Sequence, residues 1–191
     1  MSMDLQNIVS DNVRKNIDYK RKKEVDCKEI TTTLSTEEFK APQRFEHKVF
    51  NYLLNNKSTL KIKGIYKLNN SRIDGLIEFE NGELSMLEVK YRLSWIKCCN
   101  ARIEFENFMR RETYNHHKIK LHNPPTSGII IFENFDGDWN RKTIDKEVAN
   151  GWTKFYEEQK HFEKSKSMKI DIVQLKENKL EIDNHFNNKN P

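Results

Sequence analysis

The run Gly128-Ile129-Ile130-Ile131-Phe132 constrains this chain more than any other feature. Side chains alternate across a strand, so apolar residues at successive positions need cover on both faces. A strand that follows Pro124-Pro125 and is apolar on both faces is the mark of a parallel strand with helices on either side of its sheet. The run therefore predicts an α/β domain with a mixed central sheet flanked by helices.

The segments around it agree. Ser35 or Thr36 followed by Glu37-Glu38 is a helix-start signal, and Phe45, Val49, Phe50, Leu53 and Leu54 recur at helical spacing, which predicts a helix over 42–55. Leu60 to Leu68, Ser71 to Phe79 and Leu84 to Tyr91 have strand character, joined by Asn69-Asn70 and by Asn81-Gly82, so they predict an antiparallel meander. From Ser94 to about Tyr114, Trp95, Cys98, Ala101, Phe105, Phe108 and Met109 fall on one side of a wheel, with Arg102 at its edge. A third helix over about 142–160, carrying Ile144, Val148, Trp152, Phe155 and Tyr156, precedes two short strands at 170–175 and 180–182.

At 191 residues the chain fits one domain, placed at 36–183, and its eleven Phe, six Tyr and three Trp supply a core despite 33% charged residues. Residues 1–35 are polar, with Lys20-Arg21-Lys22-Lys23, and are expected to form an arm or marginal helix; 184–191 read as a frayed tail.

The third strand carries chemistry. Period-two alternation puts Glu88 and Lys90 on one face and Leu87, Val89 and Tyr91 on the other. Asp74 precedes them across a hairpin. With Asn81 and Gly82 as a two-residue turn, however, position 74 faces 89 and not 88. A bulge, or a loop longer by one residue, is needed between 75 and 83 to set Asp74 opposite Glu88.

The first helix adds an acid. With Phe45 at zero on the wheel, Glu46 lies at about 100°, between Leu53 at about 80° and Phe50 at about 140°. An inward carboxylate is expensive to desolvate without a partner, and a cation shared with Asp74 and Glu88 would be one. Hard carboxylate oxygens suit Mg²⁺ or Mn²⁺, which polarise a phosphodiester and lower the pKa of a bound water. Lys90 can then orient that water and stabilise developing charge. His47 falls near the polar side of the wheel, which disfavours it as a base beside Glu46.

Helix, three strands, helix, strand, with an acid on the second strand and Glu88-Val89-Lys90 on the third, resembles the PD-(D/E)XK or restriction-endonuclease-like nuclease superfamily across residues 42–133. The resemblance implies an αβββαβ core, in which Asp74 and Glu88 are metal ligands, Lys90 the catalytic lysine and Glu46 the first-helix acid. Ile73 stands where the nominal motif has proline. Asn100-Ala101-Arg102-Ile103-Glu104 lacks the Gln-x-x-x-Tyr pattern of the exonuclease branch.

The implied activity is Mg²⁺-dependent (or Mn²⁺-dependent) hydrolysis of DNA phosphodiester bonds, with RNA not excluded, by an endonuclease of Holliday-junction-resolvase-like or restriction type acting as a homodimer. A non-catalytic nucleic-acid-binding or assembly protein on the same fold is the alternative. Residues 84–122 hold Lys90, Arg92, Lys97, Arg102, Arg110, Arg111, Lys118 and Lys120 against Glu88, Glu104, Glu106 and Glu112. Seven of these cations, Arg92, Lys97, Arg102, Arg110, Arg111, Lys118 and Lys120, form the expected phosphate clamp, with Trp95, Tyr114, His116, His117 and His122 beside it. The net charge of +5 suits a polyanion. Three cysteines without a CxxC, no apolar stretch of membrane-spanning length and no signal-like N-terminus lead to the expectation of a cytoplasmic protein that does not bind membranes.

Overall fold

The computed structural model describes residues 26–110, 124–136 and 169–181. They form a seven-stranded mixed sheet and two helices. The strands are β1 (Asp26–Glu29), β2 (Ile62–Asn69), β3 (Gly75–Phe79), β4 (Leu84–Leu93), β5 (Ser127–Phe135), β6 (Lys169–Lys176) and β7 (Lys179–Glu181); the helices are α1 (Ala41–Asn55) and α2 (Trp95–Arg110). The strands lie in sequence order, β1 through β7. β1–β4 run antiparallel, β4, β5 and β6 parallel, and β7 turns back antiparallel on β6.

The α/β class and the parallel entry of β5 are as the apolar run required. Ile129 and Ile131 pack on the α1 side with Val49, Phe50, Leu53, Leu87 and Val173. Ile130 and Phe132 pack on the α2 side with Leu76, Met86, Ala101 and Phe105. Fully burying such a side chain is worth about 1.5–3 kcal/mol, so one strand anchors two cores at once. Gly128 permits the close approach of α2, since a Cβ there would lie 2.5 Å from the Phe105 ring.

Three differences from the sequence expectations have local causes. The segment read as an arm through residue 35 contributes an edge strand, β1, paired with β2, and buries Ile30, whose N–H donates to Ile65 O at 2.8 Å. α1 covers the expected 42–55, starting at Ala41 with Pro42 in its first turn, where a fixed φ and a missing N–H are tolerated, and differs only in that the Ser35-Thr36 start signal lies outside the helix. The Leu34 backbone is instead clamped by the Asn51 side chain at 2.7 and 2.8 Å. β2 carries a bulge between Ile62 and Gly64, which moves Ile62 onto the same face as Ile65. The helix expected over 142–160, the end of α2 beyond Arg110 and the tail lie outside the described residues.

Among the described residues no helix is long and apolar enough to cross a membrane.

Candidate active site

The hairpin between β3 and β4 resolves the register question in favour of the longer loop. Glu78 pairs with Leu84 and Gly75 with Leu87. Phe79 N–H donates to Glu83 O at 2.9 Å, so the turn is the three residues Glu80-Asn81-Gly82, with Gly82 at φ 81°. A left-handed glycine closing a three-residue loop is a common hairpin solution. The extra residue carries Asp74, one position before Gly75, opposite Glu88.

The backbone then pins Asp74. Its N–H donates to Leu87 O at 3.1 Å, its carbonyl accepts from Leu68 N–H at 2.9 Å, and its Oδ2 accepts from Val89 N–H at 2.7 Å. The carboxylate thus leans onto β4 between Glu88 and Lys90. Gly75 makes room beside it: a Cβ there would meet Tyr66 O at 2.5 Å and the Phe50 ring at 3.0 Å.

Glu88 is only 2% exposed. Its Oε1 is ion-paired with Lys90 Nζ, and its Oε2 is buried with no hydrogen-bond partner among the described residues. An orphaned buried carboxylate oxygen is costly to keep, so it calls for a ligand or a proton. Burial, with Asp74 next to it, pushes the Glu88 carboxyl up to about 8, against the downward pull of Lys90. Burial likewise raises Asp74, to about 6; the Val89 N–H pulls it down, Glu46 pushes it up, and Lys90 and Lys67 pull it down. For Lys90, burial lowers the ammonium's pKa, but Glu88, by charge and hydrogen bond, with Asp74 and Glu104, carries it above its ordinary value. The common direction is that Asp74 and Glu88 resist ionising together with Lys90 as their nearest cation.

Glu46 does turn inward, as the wheel predicts, but to a different partner. Its Oε1 accepts from Lys67 Nζ at 2.6 Å. Among the described residues no group of three or more His, Cys, Asp or Glu side chains is placed to hold a metal ion. The expected trio of ligands is therefore not drawn together, because Lys67 takes the carboxylate of Glu46. Asp74 and Glu88 do fit a Mg²⁺-like ion: both are hard oxygen donors, they face each other, and one oxygen is orphaned. Mg²⁺ is usually held by one or two carboxylates, with waters and substrate phosphate completing the shell.

Two residues beside the carboxylates are not assigned to the site by the sequence reading. Lys67 stands on β2 opposite Gly75, and its Nζ also lies 3.3 Å from His47 Nε2 and 5.6 Å from the Phe50 ring centre. Unbroken alternation over Leu60–Leu68 groups Lys67 with Lys61 and Lys63 on one polar face; the bulge at Lys63 is what sets Lys67 in line with Ile62 and Ile65. Glu104, on α2, is near enough to raise both Glu88 and Lys90. His47 corrects the wheel, being 9% exposed, because residues 34–39 cover it. Its Nδ1 lies 2.6 Å from Ser35 O and its ring stands edge-on to Phe39. A carbonyl only accepts, so Nδ1 carries the proton and Nε2 accepts from Lys67.

Of the seven cations expected to form a phosphate clamp, Arg92, Lys97 and Arg102 have side chains among the described residues. Arg92 is exposed, with its guanidinium 5.9 Å from the Tyr91 ring centre. Lys97 is occupied, donating to Arg92 O at 2.8 Å and pairing with Asp136 at 3.1 Å, which ties α2 to the ends of β4 and β5. Arg102 is half-buried on α2. The side chain of Arg110, and Arg111, Lys118 and Lys120 with Tyr114, His116, His117 and His122, lie outside the described residues. A recess of about 310 Å³, lined by Thr36, Lys48, Asn51, Tyr52 and Asn178 among others, includes none of Glu46, Asp74 and Glu88.

The acids and lysines cluster where the C-terminal half of β4 meets the start of β3, toward the carboxyl end of the parallel strands, where α/β sheets commonly bind ligands. Compared with known proteins, the chain matches no family model, no curated protein and no solved structure.

Proposed function

We propose that this chain is a divalent-metal-dependent nuclease of the PD-(D/E)XK, restriction-endonuclease-like type that hydrolyses phosphodiester bonds, with DNA as the preferred substrate. The observation that carries the reading is Asp74 facing Glu88, whose buried Oε2 has no hydrogen-bond partner among the described residues, with Lys90 against its other oxygen. Asp74 and Glu88 would hold Mg²⁺ or Mn²⁺, which when bound polarises the phosphate and acidifies a water. Lys90 orients the attacking water and stabilises charge on the phosphate; Val89 N–H fixes the rotamer of Asp74. Glu46 shapes the field at Asp74 from behind Lys67.

Within this class, a structure-selective, resolvase-like endonuclease is proposed ahead of a site-specific restriction enzyme. Two symmetric cuts in a duplex favour a homodimer.

The second reading is a nucleic-acid-binding or assembly protein on the same scaffold. It is favoured by one observation: Glu46 and Glu88 each have a lysine as counter-charge, Lys67 and Lys90.

Cleavage of single-stranded, duplex, flapped and four-way DNA, and of RNA, with Mg²⁺, Mn²⁺ or EDTA separates the two. A nuclease cuts at least one substrate only with metal, and Asp74→Ala and Lys90→Ala each lower the rate by about 100-fold or more, the size of effect lost with a single charge-stabilising group. Binding without cleavage under every condition selects the second reading.

A further inference from the structure

Lys67 is supported far beyond what a surface lysine needs. It is 19% exposed at its side chain, and its ammonium is bonded to Glu46 Oε1 at 2.6 Å and His47 Nε2 at 3.3 Å, with the Phe50 ring 5.6 Å away. His47 is in turn held by Ser35 O and Phe39. An ammonium has three donors, and Glu46 and His47 account for two among the described residues. Burying a lysine against a carboxylate carries a desolvation penalty, and stability alone is better served by an apolar pair of similar volume. The arrangement instead aims a charge at one place: Lys67 pairs across the strands with Gly75, beside Asp74, while Lys90 approaches Asp74 from β4.

We propose that Lys67 contacts a phosphate of the bound nucleic acid strand from the β2 side of Asp74, as a second cation opposite Lys90, with Glu46 and His47 as its positioning residues. This rests on the reading of the site as one that receives a nucleic acid strand. It does not require that the strand be cut. The remaining ammonium donor and the part-exposed side chain supply the contact, and the rigid mount spares the entropy of ordering a free lysine on binding. Glu46 thereby changes from a metal ligand to the group that aims Lys67.

The test is the salt dependence of binding of a fluorescein-labelled DNA duplex to the full chain in EDTA, read by anisotropy, beside single-turnover cleavage in Mg²⁺. Losing one phosphate contact lowers the slope of log K against log salt by about 0.9. K67M, which keeps the stem and drops the charge, is expected to lose about that slope, and K67R to recover it. The double variant E46Q/K67M removes the part-buried acid's charge with its partner's, so it keeps the test open should K67M alone fold poorly. If Lys67 serves only to neutralise Glu46, the double variant binds with the wild-type slope and affinity, and the proposal falls. If it touches phosphate, the slope stays lowered and cleavage stays at least about tenfold slower, a loss of the order expected for one charged contact. A wild-type chain that binds but never cuts, with the slope still falling in K67M, ends the nuclease reading and keeps this one. Cutting at wild-type rate by the double variant, with an unchanged slope, does the reverse.

Discussion

The chemistry at Asp74 and Glu88 turns on single oxygens, and its consequences can be measured without any substrate. Both carboxyls titrate above their ordinary values because burial outweighs the cations around them. An acid raised in the folded state binds its proton there more tightly than in the unfolded chain. Its contribution to stability is thus greatest at acid pH and is lost as pH rises from the unfolded pKa, about 4, through the folded values of about 6 and 8. In EDTA the protein should melt at a lower temperature near pH 8.5 than near pH 5.5, by an amount equivalent to about 4 kcal/mol. Glu88→Gln should remove most of that slope and raise the melting temperature at the alkaline end, since it supplies the neutral form the burial favours. Under the proposed function, Mg²⁺ stabilises wild type more near pH 8.5 than near pH 6, because only ionised carboxylates bind it. Equal shifts at both pH values, measured by differential scanning fluorimetry, would count against Asp74 and Glu88 as the ligands.

At the scale of elements, the three-residue turn and the close contact of α2 with β5 decide whether these groups meet. Gly82→Val puts a β-branched side chain at φ 81°, a left-handed conformation it rarely adopts, and so disfavours the three-residue turn that fixes the register. Urea unfolding should show a loss of about 1–3 kcal/mol. Gly128→Ala tests the other contact. The added methyl would overlap the Phe105 ring, so about 1–3 kcal/mol of overpacking strain is expected. Phe105→Leu in the same chain should recover part of the loss; additive losses would show that the strain lies elsewhere. Much of this level was legible. Asn81-Gly82 marked the turn, alternation put Glu88 and Lys90 on one face, and the need for an extra loop residue followed from counting. The bulge at Lys63 was not legible, because nothing in Ile62-Lys63-Gly64 says which side of the strand must yield, and Lys67 was missed as a result.

For the molecule as a whole, β1 and the covering segment 30–39 matter more than their polar sequence suggests. They pair with the β2 edge, bury Ile30 and hold His47 and Asn51 through backbone carbonyls. A chain beginning at residue 37 should lose at least about 2 kcal/mol, the cost of emptying one buried isoleucine site, and should also self-associate through the uncovered strand. Urea titration and analytical ultracentrifugation check both. What the sequence by itself determined is the α/β class, the parallel β5 and the inward turn of Glu46, since each follows from a local periodicity that burial enforces. Only the tertiary structure decided which cation Glu46 meets, that His47 is buried, and that Asp74 reaches Glu88. Those outcomes depend on a bulge, a turn length and a covering strand distant in sequence, where small differences in register place a charge beside one partner or another.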